Sequence, residues 1–145
     1  MILQPALLSD VDLFVPHKDD IAEAKAAGIS WEDNVHEAVS SGCFAVIHPS
    51  GDALALGGNM GDQCWFVTSW LIDCIDMRQR IAFRKVICEY RDKLLKEYPV
   101  LWNYVWVGNT SHQRFLKTIG AVFHEEFTES PLTGERFQLF TITGG

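Results

Sequence analysis

The sequence lacks the features that mark several large classes of protein. None of its cysteines forms a Cys-x-x-Cys pair, and no two of its histidines stand at metal-ligand spacing, so no zinc site is predicted. No apolar run reaches the roughly 18 residues that a membrane-spanning helix needs. The start of the chain has no basic stretch followed by a long apolar one, so we predict no signal peptide.

Positive charge is also scarce. The chain has 12 lysines and arginines against 19 aspartates and glutamates, a net charge of −7, so we expect no broad attraction to nucleic acid. The exception is a local basic patch formed by Arg78, Arg80, Arg84 and Lys85. Proteins are therefore the expected partners, and the sequence leaves a homo-oligomer open.

The cysteines lie in apolar stretches, at Cys43, Cys64, Cys74 and Cys88. Isolated cysteines of this kind are typical of reduced thiols in a cytosolic-type protein. We predict that all four are buried.

The composition is that of a globular protein, with 145 residues of which 48% are hydrophobic and 21% charged. Hydrophobic periodicity predicts a strand, three helices, three strands, a long helix, a strand, a short helix and two strands. The clearest helix covers residues 79–98, where the apolar positions form one stripe and Pro99 follows. This order predicts an α/β or α+β fold with a mixed central sheet, in which the long helix connects two parallel strands.

Residues 103–123, NYVWVGNTSHQRFLKTIGAVF, show this organisation most clearly. The aromatic and β-branched run 104–107 predicts a buried strand, and a short helix with one apolar face follows it. Either Asn109 or Thr110 can cap that helix, the latter in a capping box with Gln113, and Gly120 suits the position just beyond its end. The free amides at the helix start could hold an anion or a polar ligand group.

This order of elements resembles the GNAT (Gcn5-related N-acetyltransferase) fold. The stretch Asn109…Phe115-Leu116…Gly120 looks like the end of the family's fifth strand and its fourth helix. The resemblance implies one domain over residues 1–145, with a mixed sheet of about seven strands flanked by helices. It also implies that the fourth and fifth strands separate and that acyl-CoA lies in the gap.

A narrower resemblance rests on three runs of sequence. GGNMGDQCWFVTS, CEYRDKLLKEYPVLWNYVWVGNTSHQRFLKTIGAVFHEEF and FQLFTIT are similar to the small internal virion protein A family of short-tailed T-odd coliphages. This resemblance implies a phage or prophage origin and a role in virion assembly or contents. It implies phage or host proteins as partners, and a location in the host cytoplasm with packaging into the virion.

The chain departs from the GNAT pattern where that family binds pyrophosphate. GNAT enzymes place a Gln/Arg-x-x-Gly-x-Gly/Ala loop before the long helix, so that backbone amides can approach the phosphates. The matching residues 72–82 contain no glycine, and Asp73 and Asp76 would oppose an anion. Arg78 and Arg80 could offset that charge in part.

The groups for proton transfer also differ. The tyrosine that often serves as general acid in the family falls on Leu116, which cannot transfer a proton. The acidic base of the fourth strand is missing as well, because residues 63–69 contain no carboxylate. We therefore interpret the chain as a GNAT-like protein whose acetyl-CoA site is degenerate or much altered.

Three interpretations remain open at this point. The first is an interaction protein of virion assembly, the second an active or divergent N-acetyltransferase acting on a host or viral amine, and the third a protein that binds CoA or acetyl-CoA without chemistry. The second and third assign candidate cofactor contacts to Val67, Thr68, Arg78, Arg80 and Asn109, and the second places Asn109 and Ser111 nearest the thiol.

The gap between the two strands offers a way to separate these interpretations. An open groove lined by free amides would favour a ligand, whereas filling by Trp70, Leu71 or Met77 would favour the interaction protein.

Overall fold

The computed structural model describes residues 1–144 and confirms the predicted α/β architecture. A seven-stranded mixed sheet carries helices on its faces. The strands are β1 (Ile2–Pro5), β2 (Phe44–Ile47), β3 (Ala53–Met60), β4 (Gln63–Thr68), β5 (Val100–Trp106), β6 (Val122–Glu129) and β7 (Arg136–Thr143). The helices are α1 (Leu8–Asp12), α2 (Lys18–Ala27), α3 (Trp31–Ser41), α4 (Met77–Leu95) and α5 (Thr110–Thr118).

The strands lie in the order β1-β2-β3-β4-β5-β7-β6. Every neighbouring pair is antiparallel except β4 and β5, which are parallel and are connected through α4, as predicted. A single residue pair, Gln63 with Trp102, joins β4 to β5, whereas seven pairs join β5 to β7. The sheet is therefore divided along the β4–β5 boundary.

Hydrophobic clusters fill both faces of the sheet. On one face, Val11, Phe14 and Val35 of the α1–α3 region pack on Ala45 and Leu56. The α4–α5 face has two clusters, and their fully buried members include Leu54, Leu101, Val105 and Leu116. Each large apolar side chain buried in this way stabilises the fold by about 1.5–3 kcal/mol.

The long helix begins two residues earlier than predicted, at Met77, and ends at Leu95. The Asp76 side chain accepts from the Gln79 amide, and the Gln79 side chain accepts from the Asp76 amide, which completes a capping box. The preceding segment, which the sequence left without a prediction, contains a short 3₁₀ helix at Trp70–Asp73.

The cysteine prediction is wrong at one position. Cys43 is buried and Cys64 and Cys88 are half-buried, but Cys74 is exposed. Cys74 lies directly after the 3₁₀ helix, in a turn that the apolar composition of the segment did not indicate. Among the helices of residues 1–144, none is both long and apolar enough to cross a bilayer.

Candidate functional site at the division of the sheet

The candidate site lies where β4 and β5 separate. Near the start of the two strands Asn103 joins them through its side chain, which donates to the Cys64 carbonyl at 2.7 Å and accepts from the Gln63 amide group at 3.2 Å. Beyond this point no backbone pair links the strands within residues 1–144. The ends of β4 and β5 therefore present backbone groups that no neighbouring strand satisfies.

Helix α2 satisfies these groups on β4. The Asp20 carboxylate accepts from both the backbone amide and the hydroxyl of Thr68, each at 2.8 Å. The backbone amide of His17 donates to the Thr68 carbonyl, also at 2.8 Å. Thr68 is thus bonded on its donor side and its acceptor side by the start of α2.

The same helix reaches β5 with a second carboxylate. Glu23 accepts from the backbone amide of Trp106 at 2.9 Å. Asp20 and Glu23 are three residues apart and so share a face of α2. One helix face therefore supplies a carboxylate to each of the two separated strands.

Asn109 connects this helix to α5. Its side chain has no solvent exposure; it donates to Asp20 at 3.1 Å and accepts from the His112 amide at 3.2 Å. Asn109, and not Thr110, is therefore the N-cap of α5, and the Gln113 side chain donates instead to the carbonyls of Trp106 and Val107. Of the two caps that the sequence allowed, the buried asparagine is the one that forms.

The buried groups of this network have shifted pKa values. Burial raises the pKa of Glu23 to about 7; the Trp106 amide opposes this shift and the nearby Asp20 adds to it. Burial lowers the pKa of His112, and Asp20, with a carboxylate oxygen 3.9 Å from Nδ1, opposes that change. The His112 ring also packs against Phe66, with 4.5 Å between ring centroids. Near neutral pH, His112 is therefore held as the uncharged imidazole.

A cavity of about 440 Å³ lies beside the network, between α4 and α5. Its polar wall includes His17, which accepts the Asp19 amide at Nδ1 and so donates from Nε2 to Asp73 at 2.9 Å. Two arginines of α4 contribute positive charge. The lining residues are His17, Asp20, Phe66, Thr68, Ile72, Asp73, Met77, Arg80, Ile81, Phe83, Arg84, Ser111, His112, Phe115 and Thr118.

The cavity brings together some of the residues predicted from the sequence. Thr68, Arg80 and Ser111 line it, and Asn109 lies buried directly behind them. Ser111 donates its hydroxyl to Asp19 at 2.6 Å or to Asn109 at 3.3 Å.

Two predicted residues lie elsewhere. Val67 packs on the opposite face of the sheet, and Arg78 is exposed and does not line the cavity.

Sequence reasoning missed the carboxylates that occupy the division of the sheet. An aspartate before an alanine-rich helical stretch predicts Asp19 or Asp20 as the N-cap of α2, but His17 is the N-cap and Asp20 bonds to Thr68. No sequence pattern indicated a role for Glu23. His112, which its place in a capping turn predicts to be exposed, has a side chain only 10% exposed. The one available signal was the spacing of Asp20 and Glu23, which places both on one helix face.

The gap is therefore closed at Thr68 and Trp106, but not by the residues that were considered. Trp70 is 48% exposed and Met77 is 70% exposed, while Leu71 packs in the core of the α4 face. The groups in the gap are polar and come from α2 and α5.

Comparison with known proteins relates the chain to a phage family. Residues 43–128 match the family described as "Bacteriophage T7, probable scaffold protein Gp13". The chain is 53% identical over 147 residues to the "Probable scaffold protein gp13" of Escherichia phage T7, and the match covers 100% of this chain and 99% of that protein.

Comparison with solved structures gives the fold. A GNAT-family acetyltransferase from Bacillus anthracis superposes with a TM-score of 0.66 at 13% identity, over 99% of this chain and 95% of that one. A ribosomal-protein-alanine N-acetyltransferase from Brucella melitensis has a TM-score of 0.62 at 9% identity, over 99% and 100%. At these identities the likeness establishes a GNAT-like fold, and function must be argued from the site.

Proposed function

The chain belongs to the family of the probable scaffold protein Gp13 of bacteriophage T7, and from this membership we propose that it is an assembly factor acting through protein contacts. In this proposal the whole chain is one GNAT-like domain. It works in the host cytoplasm with other phage proteins and is packaged as an internal virion protein. Its acetyl-CoA site is degenerate.

One observation supports the proposal that the acetyl-CoA site is degenerate. The backbone groups of Thr68 and Trp106, at the ends of the separated strands, are bonded to Asp20, His17 and Glu23 of the α2 region. In the GNAT fold acyl-CoA lies in this gap. A pantetheine arm would have to displace these bonds, and each buried group left without a partner costs about 1–3 kcal/mol.

The start of α4 supports the same conclusion. The Asp76 carboxylate accepts from the Gln79 amide at 2.8 Å, so a negative charge already occupies the end of the helix where a pyrophosphate would bind. Asp73 adds a second carboxylate on the cavity wall. Both charges oppose an anion.

A second candidate function is supported by the 440 Å³ cavity. Its wall includes Arg80 and Arg84, and Ser111 and Thr118 supply hydroxyls. These features would suit a ligand with a phosphate and an acyl chain. The second candidate is a divergent N-acyltransferase or a CoA-binding protein, with Asn109 and Ser111 nearest the thiol.

Isothermal titration separates the two candidates. Acetyl-CoA and free CoA are titrated into the purified chain, with an active GNAT enzyme as positive control. We expect no heat of binding at millimolar ligand. Micromolar binding that is lost in Arg80→Ala and Arg84→Ala, but retained in Arg78→Ala, would overturn the proposal in favour of the second candidate.

The assembly role has its own test. A phage that lacks this gene is grown with and without the chain supplied in trans, and particles are counted and their proteins identified by mass spectrometry. We expect fewer complete particles without the chain and its presence in purified virions. Normal yield and composition without it would contradict the role.

A further inference from the structure

On one face of the sheet, strands β5–β7 lie outside the helix-packed core. Strand alternation points Leu101 and Val105 of β5 into the core beneath α4 and α5. Trp102, Tyr104 and Trp106 therefore point to the opposite side. On that side the core cluster of the α1–α3 region contains residues of β2, β3 and β4 and none of β5–β7 among residues 1–144.

The uncovered area is apolar and aromatic. We define the aromatic face as Met60, Trp65, Trp102, Tyr104 and Leu139, which lie side by side through the pairs Met60–Gln63, Gln63–Trp102 and Tyr104–Leu139. Met60 is 77% exposed and the other four are half-buried. Trp102 and Tyr104 meet edge to face, with 6.1 Å between ring centroids.

A depression in the surface adjoins this face. A cavity of about 610 Å³ lies along the division between β4 and β5, and side chains from both sides of the sheet line it. On the side of the aromatic face its lining includes Met60, Trp65 and Tyr104, and across from them Glu37 and Ala38 of α3. The aromatic face is therefore concave along its border with α3.

Carboxylates surround the aromatic rings. Trp102 Nε1 donates to Asp62 at 2.9 Å, and the Tyr104 hydroxyl donates to Glu126 at 3.3 Å. At the far edge Trp106 Nε1 donates to Glu135 at 3.4 Å. All three carboxylates are exposed, so the rings of Trp102, Tyr104 and Trp106 each lie beside a negative charge that is open to solvent.

This charge pattern decides between the occupants that would cover an apolar face. Two copies of this chain, each with a net charge of −7, would bring the carboxylates around their aromatic faces together, and these would repel each other. The same carboxylates would repel the phosphates of nucleic acid. A segment with Lys or Arg side chains would pair with Asp62 and Glu126 and place its cations over the indole and phenol rings. Its aliphatic stems would cover Met60 and Leu139.

We propose that the aromatic face binds a Lys/Arg-rich segment of a partner protein. The statement that this partner is an assembly protein rests on the proposed function. The binding itself depends only on the exposed rings and the carboxylates around them.

The test uses a synthetic peptide of alternating Arg and Ala as the probe and a peptide of alternating Glu and Ala as its control. Binding to the full chain is measured by tryptophan fluorescence, because Trp65 and Trp102 lie in the proposed site, and by isothermal titration at low and high salt. We expect the Arg peptide to bind, with an affinity that falls as salt rises, and the Glu peptide not to bind.

Two double variants with equal changes of charge locate the site. Asp62→Asn/Glu126→Gln neutralises two carboxylates beside the aromatic face, and Glu89→Gln/Glu97→Gln neutralises two exposed carboxylates in α4 and just after it. We expect the first to weaken binding of the Arg peptide by about 3- to 10-fold, from two exposed ion pairs, and the second by less than about 2-fold. Met60→Ser, at a position too exposed to affect folding, should weaken it as well.

Equal weakening by the two double variants would overturn the proposal, because it would mean that net charge alone attracts the peptide. Failure of the Arg peptide to bind at millimolar concentration would overturn it too. Neither result touches the proposed function, which depends on the CoA titration and on the particle counts.

Discussion

Replacing Asp20 by alanine tests whether α2 stabilises the divided sheet. The Asp20 carboxylate is 7% exposed and accepts three hydrogen bonds, from the amide and hydroxyl of Thr68 and from Asn109. Asp20→Ala leaves all three donors without their acceptor. A buried donor that loses its partner costs about 1–3 kcal/mol, and because Thr68 lines a cavity that water can enter, we expect a total of about 2–4 kcal/mol.

Urea unfolding followed by tryptophan fluorescence measures this loss. With an m-value of about 2 kcal/mol/M, the midpoint should fall by about 1–2 M. The matched control is Asp19→Ala, the neighbouring residue, which is one-third exposed and accepts one hydroxyl, from Ser111. The control should cost less than about 1 kcal/mol. A midpoint of Asp20→Ala equal to that of Asp19→Ala would refute the reasoning.

Two further predictions concern Glu23 and the glycines of β3. Burial raises the folded-state pKa of Glu23 to about 7 from 4.5. The favourable contribution of Glu23 to the free energy of unfolding is therefore complete below pH 4.5 and is lost as pH rises through 7. Glu23→Gln should therefore gain at most about 3 kcal/mol over the parent chain at pH 8 and little at pH 4.5, and a difference independent of pH in urea unfolding would contradict this. A Cβ at Gly57 would lie 2.8 Å from both the Trp65 carbonyl and the Phe66 Cβ, whereas at Gly58 the nearest atoms are 3.6 Å away. Gly57→Ala should cost about 1–3 kcal/mol in thermal or urea unfolding and Gly58→Ala much less, and similar losses in both would show that the close approach is not the cause.

The architecture could be predicted because local signals agree with the tertiary structure. The apolar stripe of α4 is followed by Pro99, and β5 is a short aromatic and β-branched run, so both elements are determined within a few residues of sequence. The parallel pairing of β4 with β5 follows from the crossover that α4 makes.

The contents of the site could not be predicted in the same way. An aspartate at a helix start is most often an N-cap, so Asp20 was assigned to local structure. Its actual partner is Thr68, 48 residues away, and only the tertiary approach of α2 to β4 selects it. The bond between Glu23 and Trp106 spans 83 residues and has no local counterpart. Side chains that satisfy a gap in a sheet leave no periodicity in the sequence.

The single backbone pair between Gln63 and Trp102 has a consequence for amide hydrogen exchange. In a continuous sheet an interior amide exchanges only when its strand separates from a neighbour. Here the amides of Thr68 and Trp106 are protected by carboxylates of α2, so their exchange reports on the docking of one helix. Exchange at these two amides should therefore rise together whenever α2 detaches, although they belong to different strands.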